Sequence, residues 1–207
     1  MLGTLEKIKR GEKAFIVCLG DSITEQNYHL HEHLNYVGLL SEKLINKFGR
    51  NHLLLNAGVS GDTTWGIVER LERDALRFKP DLVTLMIGMN DSARGAEMLP
   101  EFQSNLEAII DRTRSIGSEI VLITQNTISY ELTDNVNRRK DYPAYVKTLL
   151  ETAESRQVPV CDLYQAWTDE ITANPNSQWT LMNDGIHPNE YGHRFMADGL
   201  FRFMGIS

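Results

Sequence analysis

Cysteine is nearly absent from this chain: Cys18 and Cys161 are the only two in 207 residues. Both fall inside apolar runs that read as strands, where a thiol behaves as a small buried hydrophobe, so no disulfide framework is expected. Basic charge is also short. Twenty-one Lys and Arg face 28 Asp and Glu, a net charge of −7, and no basic block is long enough to track a phosphate backbone, which argues against nucleic acid as a partner. The one basic run, Arg138-Arg139-Lys140, reads as a solvated loop leading into a helix. No stretch approaches the ~18 continuous apolar residues of a membrane span, and Met1 to Arg10 lacks the apolar centre of a secretory signal, so the expected compartment is the cytoplasm. No glycine-rich phosphate loop follows the first apolar run, which argues against a nucleotide-binding protein.

What is present is enough apolar content, 42%, for a sizeable core, at a length that suits a single domain over residues 1–207. Five short apolar runs read as strands: Ala14 to Leu19, His52 to Ala57, Asp81 to Ile87, Ser118 to Thr124 and Val158 to Leu163. Between them, apolar residues recur at helical spacing, as in Leu34, Val37, Leu40, Leu44 and Phe48, in Ile67, Leu71, Ala75 and Phe78, and in Leu99, Phe102, Leu106 and Ile109. Alternating strand and helix implies βαβ units, whose right-handed crossovers give a parallel sheet covered by helices on both faces. The runs Val83 to Ile87 and Ile120 to Ile123 are almost wholly apolar, as central strands should be. A last helix starts at Pro188-Asn189-Glu190 and should carry Tyr191, Phe195 and Leu200 toward the core, leaving His193 at the surface or its boundary.

Three of these strands end in polar turns: Gly20-Asp21-Ser22, Asn56-Ala57-Gly58 and Gly88-Met89-Asn90-Asp91. A parallel sheet brings such ends to one edge, where α/β folds place their chemistry. A serine hydroxyl is unreactive until a base takes its proton. His187, in Asp184-Gly185-Ile186-His187-Pro188, can be that base for Ser22 if the last helix packs at the same edge, with Asp184 orienting the ring. Acyl transfer also needs donors for a developing oxyanion, and the Ser22 N–H, the Gly58 N–H and the Asn90 side-chain amide are the candidates.

The same four blocks resemble those of the SGNH hydrolases, the GDSL esterase/lipase family, in order and across nearly the whole chain, with Ile23 where Leu is usual. The resemblance implies a flavodoxin-like three-layer α/β/α sandwich with a central five-stranded parallel sheet. It implies a nucleophilic Ser22, with Asp184 and His187 completing a triad and Ser22, Gly58 and Asn90 forming the oxyanion hole. The chain differs from the α/β-hydrolases, because Ser22 lies in Gly-Asp-Ser-Ile-Thr rather than Gly-x-Ser-x-Gly. The expected activity is hydrolysis of small-molecule carboxylic esters through an acyl-enzyme, with no metal or cofactor. Short acyl groups such as the acetyl groups of sugars are favoured, since Lys79 to Asp91 looks similar to intracellular acetyl-oligosaccharide esterases of that family. Lysophospholipase or thioesterase action is the alternative, and a non-catalytic ligand-binding module on the same fold is the reading from another class.

Two polar segments, Asn126 to Tyr142 and Asn174 to Asn183, read as walls of a substrate cleft, and Trp179 in the second is a candidate substrate-binding residue together with Asp21. Asp21 and Asp91 also read as carboxylates that fix their own turns, Asp62 as a helix cap, and Ser60 as a turn residue rather than a rival nucleophile. His29, His31 and His33 alternate as a metal-binding strand would, but a loop lining the pocket or a subunit contact in a homo-oligomer is the reading preferred for them.

Overall fold

The computed structural model describes residues 2–25, 30–132 and 138–207. Strand β1 (Ala14–Gly20) lies between β2 (His52–Gly58) and β3 (Leu82–Met86), and β4 (Glu119–Ile123) and β5 (Val160–Cys161) extend one sheet in the order β2-β1-β3-β4-β5. Every pairing is parallel. The all-apolar runs are indeed the interior strands: β3 is buried throughout and Ile16, Val17, Cys18 and Leu19 of β1 are inaccessible, whereas edge strand β2 exposes Leu53. Both cysteines are buried and free. The fifth apolar run yields only two strand residues, because Asp162 caps the next helix by accepting the Gln165 N–H and Leu163 is already helical.

The helices are α1 (Gly3–Lys9), α2 (Tyr36–Phe48), α3 (Thr64–Asp74), α4 (Leu99–Ser115), α5 (Tyr142–Ser155), α6 (Leu163–Ala173), the single turn α7 (Ser177–Thr180) and α8 (Glu190–Met204). Starts are set by local polar chemistry: Asn35 accepts the Val37 and Gly38 N–H groups at α2, and Asn189 those of Tyr191 and Gly192 at α8. Asn35 thus fixes the entry to α2 and leaves Leu34 outside it and exposed. Helix α3 stops at Asp74, so Phe78 falls in a separate 3₁₀ turn.

Chain direction explains the layers. From β1 the chain steps outward to β2 through α2, then back past β1 to β3 through α3, and onward through α4 and α5. Right-handed crossovers place α2 on one face and α3, α4 and α5 on the other. Accordingly α3 packs on α4 and α4 on α5, while α8 returns to lie against α2. The reversal between β1 and β3 opens a crevice at their carboxyl ends.

The phase of α8 differs from the expected one. Its buried stripe is Gly192, His193, Met196, Ala197, Leu200, Phe201 and Met204, so Tyr191 points outward at 62% exposure and His193 is interior. The His193 Nδ1 accepts the Tyr36 N–H at 3.2 Å and its ring stacks on that of Tyr36, tying α8 to the start of α2. Of the expected cleft walls, residues 133–137 lie outside the described residues, as does His29.

Candidate functional site

Ser22 sits in the turn directly after β1, where the Asp21 carbonyl accepts the N–H groups of Thr24 and Glu25 and the Asp21 carboxylate accepts that of Ile23. Its Oγ lies 3.0 Å from His187 Nε2. On the other side of the ring, His187 Nδ1 is 2.9 Å from Asp184 Oδ2, while Asp184 Oδ1 accepts the backbone N–H groups of Ile186 and His187 at 2.7 Å each. Half-burial works to raise the Asp184 carboxyl, but bonds from the His187 ring and from the two backbone N–H groups outweigh it and hold the group well below the usual carboxylate range. An ionised carboxylate behind an imidazole that faces a hydroxyl is the arrangement that makes serine a nucleophile.

The Asp184–His187 turn is a closed unit. Met182 and Pro188 bridge antiparallel, the Asn183 N–H donates to the His187 carbonyl, and the Asn189 N–H donates to that of Leu181. The segment after β4 braces it: the Ser129 N–H reaches the Gly185 carbonyl at 2.9 Å and Asn126 Nδ2 the Ile186 carbonyl at 3.0 Å. Gln178 beside Trp179 reaches Glu131 at 3.3 Å, so the two polar segments meet next to this turn. Trp179 itself, on α7, is 48% exposed and has no bond into the site among the described residues.

Asn90 follows β3. Its Nδ2 donates to the Asp62 carbonyl at 3.1 Å and, over 3.3 Å, to Asp21 Oδ2, while its Oδ1 accepts from Arg139 Nη2 at 3.1 Å. Asp21 is 1% exposed, which removes it from contact with any substrate: it lies beneath the site, accepting from Gln125 Nε2 at 2.9 and 3.1 Å. Burial pushes its carboxyl up to about 6, against the opposing bonds from Gln125 and the Ile23 N–H. Arg139 corrects a second expectation. It is half-buried, with Nε on the Met89 carbonyl at 3.2 Å, whereas its neighbours Arg138 and Lys140 are exposed as a solvated run should be.

Gly58 does not present its N–H to the site. The Asn56 side chain accepts that N–H at 3.0 Å, and the Gly58 Cα packs so closely on the turn after Ser22 that a Cβ would lie 2.1 Å from the Glu25 nitrogen. Its glycine serves close approach. Three residues on, Gly61 adopts φ +77°, is exposed, and has an N–H without a protein partner among the described residues, as has Ser22. The residue after Gly61, Asp62, supplies the backbone carbonyl that holds Asn90. Nothing in a lone Gly-Val-Ser-Gly sequence ranks one glycine over the other; the left-handed φ and the side-chain partner of Gly58 do.

Arg70 of α3 also escaped the sequence reading, because a charge on an amphipathic helix reads as surface. It is buried and gathers the strand ends: Nη2 donates to the Gly20 carbonyl at 3.1 Å, Nη1 to that of Ala57 at 2.8 Å, and Nε to Asp62 at 2.7 Å. Asp62 is therefore an ion-pair partner, and Thr63 caps α3. Asp91, expected to fix its own turn, instead accepts both the N–H and the hydroxyl of Thr64 with one oxygen and so ties the start of α3 to the turn after β3. Ser60 is exposed and bonds to no base among the described residues. Among the described residues no group of three His, Cys, Asp or Glu side chains could hold a metal, and His31 and His33 are exposed. Nor is any described helix long and apolar enough to cross a membrane.

The chain is similar to known esterases. An acetylxylan esterase of Geobacillus stearothermophilus is 28% identical, with 97% of each chain covered. The thioesterase 1/protease 1/lysophospholipase L1 of Escherichia coli K12 is 27% identical over 88% of this chain and 79% of its own. The crystal structure of an acetyl xylan esterase, AlAXEase, superposes with a TM-score of 0.77 at 26% identity, covering 91% of this chain and 98% of the other. The GDSL-like lipase/acylhydrolase family profile matches residues 18–195, a span that runs from β1 into α8 and takes in Ser22, Asn90, Asp184 and His187. The chain belongs to the GDSL-like lipase/acylhydrolase family, the carboxylic ester hydrolases whose four blocks it resembles.

Proposed function

We propose that this protein is a serine esterase for short acyl groups, acetyl esters of sugars foremost, with Ser22 as nucleophile, His187 as general base and Asp184 as the group that orients it. The observation that carries this reading is the continuous path from Ser22 Oγ through the His187 ring to Asp184, in steps of 3.0 and 2.9 Å. His187 takes the Ser22 proton as the hydroxyl attacks the ester carbonyl. It returns that proton to the leaving alcohol, and water attacks the acyl-enzyme by the same route. The developing oxyanion is met by the Ser22 N–H, by Asn90 Nδ2 and by the Gly61 N–H in place of that of Gly58. Supporting this set are the partner-free N–H groups of Ser22 and Gly61 and the long 3.3 Å bond from Asn90 to Asp21, which an oxyanion can outcompete. Removing one such donor costs about 10²–10³ in turnover, the loss expected for Asn90→Ala.

The acetyl preference rests on the acetylxylan esterases among the similar proteins. The Escherichia coli relative supports a second reading, longer acyl esters or thioesters. The two buried, free thiols suit the reducing cytoplasm proposed as its compartment. The test is hydrolysis of p-nitrophenyl esters from acetyl to lauroyl by the wild type and Ser22→Ala, followed by acetylated xylooligosaccharides. Activity that peaks at acetyl and vanishes in Ser22→Ala is expected. Activity that survives in Ser22→Ala removes Ser22 as nucleophile, and a maximum at lauroyl selects the second reading.

A further inference from the structure

A primary amide has two nearly isosteric ends, so which end of Asn90 faces the site is decided by its neighbours. Asp21 and the Asp62 carbonyl are acceptors and select Nδ2; the guanidinium of Arg139 carries donors only and selects Oδ1. Among the described residues Arg139 is the neighbour that makes the reversed amide untenable from the Oδ1 side. Its fork spans two carbonyl oxygens in a row, Met89 O through Nε at 3.2 Å and Asn90 Oδ1 through Nη2 at 3.1 Å, so it grips the backbone and the side chain of one turn together. We propose that Arg139 is a positioning residue for ester hydrolysis: it locks the Asn90 amide with Nδ2 toward the oxyanion and, by placing a cation on Oδ1, makes that N–H a stronger donor.

Several features of the site fit this role. Arg139 belongs to the segment between β4 and α5, and its bonds reach 49 and 50 residues back to the turn after β3, so the grip joins two separate walls of the crevice. Asp21 and Asp184 lie near enough for their carboxylates to favour the guanidinium charge, offsetting part of the cost of its burial. A lysine would keep the charge but offer one compact ammonium where two oxygens need a fork. An amide held only by Asp21 and Asp62 would keep its orientation less strictly, because its carbonyl end would face solvent.

The inference rests on the roles proposed for Ser22 and Asn90, and one experiment separates the two. kcat and KM are measured for p-nitrophenyl acetate with the wild type, Ser22→Ala, Arg139→Met, Arg139→Lys, Asn90→Ala and the double variant Arg139→Met/Asn90→Ala, with melting temperatures for each. Arg139→Met is expected to lower kcat about tenfold, as loss of a charge-assisted hydrogen bond would, with KM changed less than about twofold. In the Asn90→Ala background the same change should cost less than about twofold, and Arg139→Lys should recover little. Should Arg139→Met not fold, Arg139→Lys carries the same comparison in both backgrounds. An equal loss of kcat with and without Asn90, or an effect confined to KM, overturns the positioning role while leaving the esterase reading intact. A wild type no more active than Ser22→Ala overturns the esterase reading, and this inference with it.

Discussion

Asp184 grips His187 at two points, the ring through Oδ2 at 2.9 Å and the backbone N–H through Oδ1 at 2.7 Å. One carboxylate therefore sets both the tautomer of the imidazole and the place of its Cα. Asp184→Asn keeps an acceptor for the backbone bonds but loses the charge behind the ring, and kcat should fall about 10³–10⁴-fold with the fold intact. Because the folded carboxyl sits below its usual range, its stabilising contribution is complete above about pH 4 and disappears as pH falls toward the depressed folded value. The wild type should thus lose stability relative to Asp184→Asn only in acid. A kcat within tenfold of the wild type would remove Asp184 from the relay.

Gly58 and Gly61 separate packing from chemistry. At Gly58 an added Cβ strikes the Glu25 and Thr24 backbone at 2.1 and 2.6 Å, so Gly58→Ala should destabilise by about 3 kcal/mol and lower the yield of folded protein. At Gly61 a Cβ meets nothing, and only the left-handed φ is strained, about 1–2 kcal/mol. Alanine keeps the backbone N–H but resists the φ of +77° that aims it, so if this N–H meets the oxyanion Gly61→Ala should fold and still lose about tenfold in kcat as the peptide turns away. Unchanged turnover with no loss of melting temperature, the sign that the backbone has relaxed out of the left-handed region, would return the search for the donor to another residue.

Arg70 and Asp62 form an ion pair at 2.7 Å with side chains 8% and 10% exposed. Arg70→Met fills similar volume but leaves Asp62 charged, buried and unpaired, and releases the Gly20 and Ala57 carbonyls. Urea unfolding should show a loss of about 3–5 kcal/mol. A loss below about 1 kcal/mol would mean that water reaches Asp62 readily.

The buried carboxyl of Asp21 supplies a pH signature of opposite sign. Burial raises its folded value to about 6, above that of the unfolded chain, so the folded state binds the proton more tightly. Stability from this group is greatest below about pH 4 and declines as pH rises to about 6, then levels. The unfolding free energy of the wild type minus that of Asp21→Asn should fall by about 2–3 kcal/mol across that window. A flat difference would show that the Gln125 and Ile23 bonds already cancel the burial.

Most of the sheet was legible because β1, β3 and β4 are buried on both faces and are apolar at nearly every position; the fifth run was overread because Leu163 is apolar for the sake of α6. Ser22 and Asn90 were legible because their turns follow strands that end at one edge, and Asp184 and His187 because their turn leads into the last helix, which returns to that edge. Gly58 was misread because its N–H turns to the Asn56 side chain two residues before it, a local bond that a strand-end pattern does not show. Arg139, Arg70 and Gln125 were passed over because their roles depend on which atom a side chain reaches across the fold, 36 residues for Gln125 on Met89, 49 for Arg139 on Asn90 and 50 for Arg70 on Gly20, and spacing along a chain carries no trace of that. The helical phase of α8 failed for a smaller reason: Asn189 sets the first turn, and a shift of one residue exchanges Tyr191 for Gly192 and His193.

Ser22 and His187 are 165 residues apart in a chain of 207. During synthesis Ser22 therefore emerges long before its proposed base and before the helix α8 that follows that base and packs against α2. A chain cut just before Asp184 keeps the residues of all five strands but has no imidazole to offer Ser22, so ester cleavage reports that the segment from Asp184 through α8 has docked.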